Sequence, residues 1–384
     1  MENNMICFKN GKYLSEDGNI QEGPVFINQG KIVDAEESAT GNSDCEVIDI
    51  TDKIVIPGLI DIHFHGAVGA DLMYANSEEI MKISKFLAEN GTTSYLATTI
   101  TSMPQGLKNA VKIIKDTSEK IVDGASIEGI HIEGPYISPN KKGCHKASYM
   151  RSPQNSEYDE LKSIAGTLKL HFTVAPEVEN VPEFINYVSA KGDTLSIGHS
   201  DANSEFVKRA LMLGATSFTH LFNAMRGINH REPGVAGEAL ISDAFVELIC
   251  DGVHVNKDIM KMIYRLKGRD KIILVTDAMQ ATGLGDGEFE FGGYRVYVRD
   301  GIARNEDGAL ASSTLTMLKA VKNMIGFVGV PFSDAVRMAT ANPAKLLCLY
   351  DEVGSISAGK RADLLIVDEM LNLDMVFCKG VRIK

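Results

Sequence analysis

From about residue 54 onward the chain repeats one unit, a short apolar, β-branched run followed by a segment of helical periodicity. The runs are VIPGLIDIHFH, TTSYLATTI, IEGIHIEG, LHFTVAPE, TLSIGHS, TSFTHLFNA, FVELICDGVHV and KIILVTDA, eight in all. Between them lie segments such as SEEIMKISKFLAEN, VPEFINYVSAKG, SEFVKRALMLGA and NKDIMKMIYRLKG, whose apolar residues recur at helical spacing. Strands that are apolar on both faces must be covered on both faces, and eight strand-then-helix units predict an α/β, TIM-type (β/α)8 barrel rather than a doubly wound sheet.

The two ends obey a different pattern. Residues 1–53 and 352–384 carry short alternating strands punctuated by glycine, as in NGKYLS, GPVFINQGKIVDA, KRADLLIVD and MVFCKGVRI, with no helical stretch between them. They predict a small β-sandwich domain formed by both termini, with residues 54–351 as the barrel. The segment GEFEFGGYRVYVRDGIARNEDG, residues 287–308, predicts a β insertion after the eighth strand. The helical segment TLTMLKAVKNMIGFVG is expected to pack outside the barrel as its last helix, with Met317 serving only in packing.

A chain of 384 residues that is 44% hydrophobic can fill a sizeable core. Its 39 basic and 51 acidic side chains leave a net charge of -12, with no Lys/Arg run to track a phosphate backbone, so a nucleic-acid partner is not expected. The stretch MENNMICFKN has no charged segment leading into an apolar one, and no run approaches the ~18 apolar residues of a membrane span. A cytoplasmic protein without a membrane partner is the expectation. Six cysteines stand singly, without a C-x-x-C pair, and read as reduced thiols.

All nine histidines lie between His63 and His254, and that clustering needs a cause. In a barrel of this type the active site forms at the C-terminal ends of the strands. There the first strand delivers His63 and His65, the third Glu133, the fifth His199, the sixth His220, the seventh His254 and the eighth Asp277. The strand period of two puts His63 and His65 on one face, about 7 Å apart along the strand and able to converge on one ion. Imidazole and carboxylate together suit Zn or Fe as a divalent metal, and such an ion lowers the pKa of a water toward ~7. Asp277, in the apolar run IILVTDA, then has the position of the general base, and once protonated it can serve the leaving group. His131, one pleat before Glu133, reads as a core histidine beneath the metal.

At PGLIDIHFHG, GIHIEGPYIS, SIGHS, THLFNAM and LVTDA the chain resembles the amidohydrolase superfamily. Within it, HIEGPYISPNKKGCH, THLFNAM followed by REPG, CDGVHV, and LASSTLTM followed by ATANPA resemble the N-acetylglucosamine-6-phosphate deacetylases over essentially the full length. Many amidohydrolases bridge two metals with a carbamylated lysine on strand four, whereas here that strand ends VAPE. The resemblance implies one principal metal site on Glu133, His199 and His220. Members of the family differ at the strand-one pair, and the retained His63 and His65 leave room for a second site.

The resemblance further implies that His145 contacts the sugar or the acetamide. It implies that His254, Arg231 and the Asn223-Ala224 backbone bind sugar and phosphate, with Arg231 acting across a homodimer interface. An arginine offers a phosphate dianion a two-pronged donor that a chain of charge -12 must supply locally. Cys144 departs from the pattern, in which a small residue such as alanine or threonine precedes the histidine. The implied activity is metal-dependent hydrolysis of the acetamide of N-acetylglucosamine 6-phosphate, an amino-sugar phosphate of amino-sugar catabolism and recycling. Three other readings remain: the same reaction on N-acetylgalactosamine 6-phosphate, a cyclic amidase or deaminase, and a catalytically silent sugar-phosphate binding protein.

Overall fold

A computed structural model describes residues 5–34 and 45–384. Residues 1–4 and 35–44, which the sequence pattern assigns to the terminal β unit, lie outside the described residues. Eight strands pair side by side in sequence order to make the barrel. They are β1 (Leu59–Phe64), β2 (Thr92–Thr99), β3 (Ser126–Glu133), β4 (Lys169–Val174), β5 (Thr194–Ile197), β6 (Ser217–Phe218), β7 (Phe245–Ile249) and β8 (Ile272–Val275). Every pairing is parallel. The ring closes at its C-terminal rim, where the amides of Asp277 and His65 donate to the carbonyls of His63 (2.8 Å) and Ala278 (2.9 Å).

Helices fill the outer ring because their buried residues fall on one stripe. In Ser77–Glu89 these are Ile80, Ile83, Ser84, Leu87 and Ala88, and the helix is started by a reciprocal cap between Asn76 and Glu79. The inside of the barrel is polar. The imidazole Nε2 of His131 lies 2.7 Å from Thr173 Oγ1, which lies 2.7 Å from Thr219 Oγ1, whose hydroxyl donates to Ser196 Oγ at 2.7 Å. Buried polar groups are tolerated where they satisfy one another, and this chain of hydroxyls makes the floor of the site.

The terminal segments form a four-stranded and a six-stranded sheet. The larger one interleaves both ends of the chain: Leu364–Val367 pairs with Ile54–Pro57, which pairs with Lys12–Leu14. Between the sheets lies an apolar cluster that includes Val25, Ile27, Val55, Leu364 and Ile366, with the rings of Phe8 and Phe377 edge-to-face at 5.1 Å. This is the expected sandwich.

Two details differ from the sequence pattern. The run VIPGLIDIHFH is two strands, because pairing passes from the terminal sheet to the barrel at Gly58, so that residues 54–57 belong to the terminal sheet. Gly58 is required there by close approach, since a Cβ would stand 2.0 Å from Thr93 Oγ1. The segment after residue 316 is also not the last helix. Helix Met317–Asn323 widens into a π turn over Met324–Val328, and Phe332–Met338 and Ala341–Leu346 follow. Gly329 (φ 80) ends the π turn and Pro331 caps the helix after it, interrupting what the periodicity alone would continue. Met317 is buried in the apolar core, as expected.

Arg361 ties the terminal unit to the barrel. Its guanidinium donates to Asp363 on its own segment, to Ser94 on β2 and to Glu128 on β3. Replacing Arg361 with methionine leaves the buried Asp363 carboxylate without its counter-charge and should lower unfolding free energy by about 3 kcal/mol. An unchanged denaturant midpoint would show that the pair contributes little.

Candidate active site at the barrel rim

Three of the rim residues sit on left-handed backbone: His199 (φ 46), His220 (φ 30) and Asp277 (φ 48). Non-glycine residues avoid that region, and they hold it only where the surrounding structure over-determines it. The effect is to turn each side chain off the end of its strand toward the barrel axis. His63 and His65 reach the same place through strand alternation.

The side chains meet at Glu133. Its Oε1 lies 3.1 Å from His199 Nε2, 3.2 Å from His220 Nε2 and 3.4 Å from His63 Nε2. Its Oε2 lies 3.3 Å from the Nε2 atoms of both His65 and His145. Asp277 Oδ1 stands 3.3 Å from His65 Nε2 and 3.6 Å from His63 Nε2. Burial opposes the charged form of each acid, but the imidazoles outweigh it. His63 foremost holds Glu133 well below the carboxylate range and lowers Asp277 as well.

Partners on the outer nitrogens decide what each imidazole offers the centre. Nδ1 of His199 faces the carbonyl of Lys141 at 2.7 Å, and a carbonyl only accepts, so Nδ1 carries the proton and Nε2 presents a lone pair. His63 Nδ1 likewise faces Glu247 Oε2 at 2.9 Å. His145 is opposite in kind. The amide of Thr101 donates to its Nδ1 at 3.2 Å, which puts the proton on Nε2 and makes His145 a hydrogen-bond donor rather than a metal ligand. Burial drives it down to about 4, so it is neutral at pH 7.

The donors fit a divalent cation. Ligand atoms sharing a tetrahedral ion at about 2.1 Å lie about 3.4 Å apart, close to the 3.0 Å between His199 and His220 Nε2 and the 3.1 and 3.2 Å from each to Glu133. A second set is His63 and His65, with Nε2 atoms 3.3 Å apart, sharing Glu133 and Asp277. Among the described residues the buried Nδ1 of His220 has no hydrogen-bond partner.

His65, Glu133, His145, His199, His220 and Asp277 line a cavity of about 430 Å³ together with His254, Asn223, Ala224, Lys142 and Phe291, and His63 lies buried beneath it. His254 Nδ1 lies 2.6 Å from Asp251 Oδ2; burial works against its charged form, but Asp251 raises its pKa. Asn223 and Ala224 follow β6 on a turn whose Ala224 is left-handed (φ 46). Arg231 is not brought to the cavity: it is exposed, on the loop after β6. Cys144 does line it, with its thiol pushed up to about 11 by burial, so it is not a thiolate at neutral pH. A larger groove of about 970 Å³ on the terminal sheets, lined by Lys9, Lys12, Lys53 and Asp52 among others, shares no residue with this site.

The matching family model is the amidohydrolase family, over residues 54–383. The chain belongs to the amidohydrolase family. It is 39% identical to the N-acetylglucosamine-6-phosphate deacetylase of Bacillus subtilis (strain 168), over 98% of this chain and 96% of that one. Identity to the N-acetylgalactosamine-6-phosphate deacetylase of Escherichia coli O157:H7 is 32%, over 94% of this chain and 96% of that one. Among solved structures, the N-acetylglucosamine-6-phosphate deacetylase of Pasteurella multocida superposes with a TM-score of 0.91 at 31% identity, over 98% of each chain. A mutant of the Mycobacterium smegmatis enzyme, in complex with N-acetyl-D-glucosamine-6-phosphate, gives 0.89 at 30% identity, over 100% of each. Members of such a family are metal-dependent, and the buried His/Glu groups here suit a metal. Among the described residues no helix is long and apolar enough to cross a membrane.

Two residues escaped the sequence pattern. Glu247, fully buried on β7, accepts from His63 Nδ1 and, at 3.1 Å, from the amide of His220, so one carboxylate orients two candidate ligands. The signal for it, an acid inside the apolar strand FVELI, is the same one that picks out Glu133. Thr101, which sets the tautomer of His145, carried no signal.

Without a cation, the carboxylates stabilise the protonated form of the strand-one pair. Burial disfavours the charged form of His65, yet its hydrogen bonds to Asp277 and Glu133 lift it to about 9, and His63 rises well above its ordinary value. A cation at that pair must displace those protons, so its affinity should fall as pH drops below about 9, by up to roughly tenfold per unit for each proton displaced. Chelator competition at pH 6 and pH 8 measures this, and equal affinities would contradict it.

Proposed function

We propose that the chain hydrolyses the acetamide of N-acetylglucosamine 6-phosphate, releasing glucosamine 6-phosphate and acetate. The observation that carries this reading is the meeting of Glu133, His199 and His220 within 3.2 Å of one another, with the Asp277 carboxylate on the same cavity. A divalent cation, Zn or Fe, would supply Lewis-acid chemistry, acidifying water and polarising a carbonyl. Glu133, His199 and His220 would hold it, and His63 and His65 would offer a second position.

Asp277 Oδ1 takes the proton from the attacking water. Its lowered pKa keeps it ionised and ready to accept at neutral pH. The protonated Asp277 then returns that proton to the departing nitrogen, so that a water adds across the C–N bond and the products are an amine and a carboxylate. Neutral His145 donates from Nε2 to the acetamide oxygen or a sugar hydroxyl. His254, held by Asp251, meets the sugar and phosphate with the backbone of Asn223 and Ala224.

The gluco epimer is favoured over the galacto one by the identities, 39% against 32%. A cyclic amidase or deaminase with a lysine bridge is disfavoured by β4, which ends at Val174 and runs on into Ala175-Pro176-Glu177 without a lysine. A silent binding protein would lack Asp277 or part of the donor set, and neither is missing.

In this reading residues 58–351, with the insertion near 287–308, carry the chemistry, and the terminal sheets, which take in residues 54–57, brace it. The protein works in the cytoplasm as a homodimer, in which Arg231 reaches the phosphate in the cavity of the partner subunit. Its exposure and the exposed Ile228 (53%), three residues before it on the same loop, support that.

Asp277→Asn should keep the metal of the Glu133, His199 and His220 site while losing roughly 10²–10⁴-fold in turnover. Acetate release and metal analysis on one sample decide it, and an active variant would remove Asp277 from the mechanism. Side-by-side kinetics on the two hexosamine phosphates should favour the gluco substrate.

A further inference from the structure

The mechanism leaves one aromatic side chain on the cavity wall unused. Phe291 ends the first strand of a three-stranded sheet, Gly287–Phe291, Tyr294–Arg299 and Ile302–Asn305, which follows β8. Its ring meets that of His65 edge-on, with centroids 5.1 Å apart, and it faces the cavity beside Cys144, Leu310 and Ser312. Met73, Ile100 and Met279 belong to the same buried apolar cluster as Phe291.

This wall is held in place. A Cβ on Gly292 (φ 63) would stand 2.4 Å from the carbonyl oxygen of Cys144 and 3.0 Å from Ile100 Cδ1, so the turn is seated directly on the loop that carries His145. Gln280 Nε2 donates to the carbonyl of Glu290 at 2.5 Å. A phenyl ring fixed in this way is a poor partner for a sugar hydroxyl and a good one for a methyl group.

In an acetamide the methyl group and the amine nitrogen are separate substituents of the trigonal carbonyl carbon, so they point toward different walls of the cavity. Polar groups for the sugar phosphate follow β6 and β7, as Asn223, Ala224 and His254. Phe291 stands against His65, after β1, and packs with Ile100, after β2, across the rim. We propose that Phe291, with Leu310, forms the acyl pocket and determines specificity: it accommodates an acetyl methyl and excludes longer acyl chains. The proposal rests on the deacetylase reading above.

The test is the ratio of kcat/KM for the N-propionyl substrate to that for the N-acetyl substrate, each as the glucosamine 6-phosphate amide. A ratio within one preparation does not depend on the active or metal-loaded fraction. Phe291→Ala should raise it roughly tenfold, the scale on which one methylene is discriminated in an apolar pocket. Phe291→Leu, a smaller change that preserves packing, should raise it by less and serves if the alanine variant does not fold. Wild-type ratios in an active Phe291→Leu or Phe291→Ala enzyme overturn the proposal. A wild-type enzyme inactive on the acetylated sugar instead overturns the deacetylase reading, and the acyl pocket with it.

Discussion

Five imidazole nitrogens lie within 3.4 Å of one buried carboxylate, that of Glu133. A charge this far from water is tolerated only with full compensation, and the rim of the barrel is arranged around providing it. Strands β1, β5 and β6 and the loop after β3 each deliver a ring to the same point. The left-handed backbone at His199, His220 and Asp277 is a consequence of that convergence: a strand end continuing in regular geometry would carry its side chain past the centre.

Aim matters as much as position. The carbonyl of Lys141 and the carboxylate of Glu247 turn His199 and His63 so that their lone pairs face the centre, while the amide of Thr101 turns His145 to donate. Identical side chains thus acquire different chemistry from a single hydrogen bond each. Beneath them, the hydroxyls of Thr173, Thr219 and Ser196 satisfy one another and His131, which lies under His63 with ring centroids 4.5 Å apart. A polar floor of this kind keeps the upper layer from sliding, because any displacement would strand a buried donor.

Much of this was legible from one dimension. Glu133 stood out as a charge in an apolar strand, and His63-x-His65 as two rings on one strand face. The barrel rule then placed strand ends from far apart in sequence on one rim. Glu247 carries an equivalent signal, but an acid in mid-strand identifies itself only once the inward face of that strand is known. The split at Gly58 was hidden by an unbroken apolar run, and only the approach of Thr93 reveals it. Arg231, drawn toward the site by resemblance, lies outside the cavity of its own chain.

The sequence by itself determined the eight-fold strand and helix alternation, the paired terminal sheets, and the acids and histidines at the strand ends. These depend on periodicity and on residue type, which are local properties. Only the tertiary structure decided which nitrogen of each histidine faces the centre, that Glu247 orients two of the rings, and that Phe291 from a distant insertion walls the cavity beside His65. Those features are contacts between residues tens to hundreds of positions apart, such as His63 and Glu247, and no local pattern encodes the distance between them.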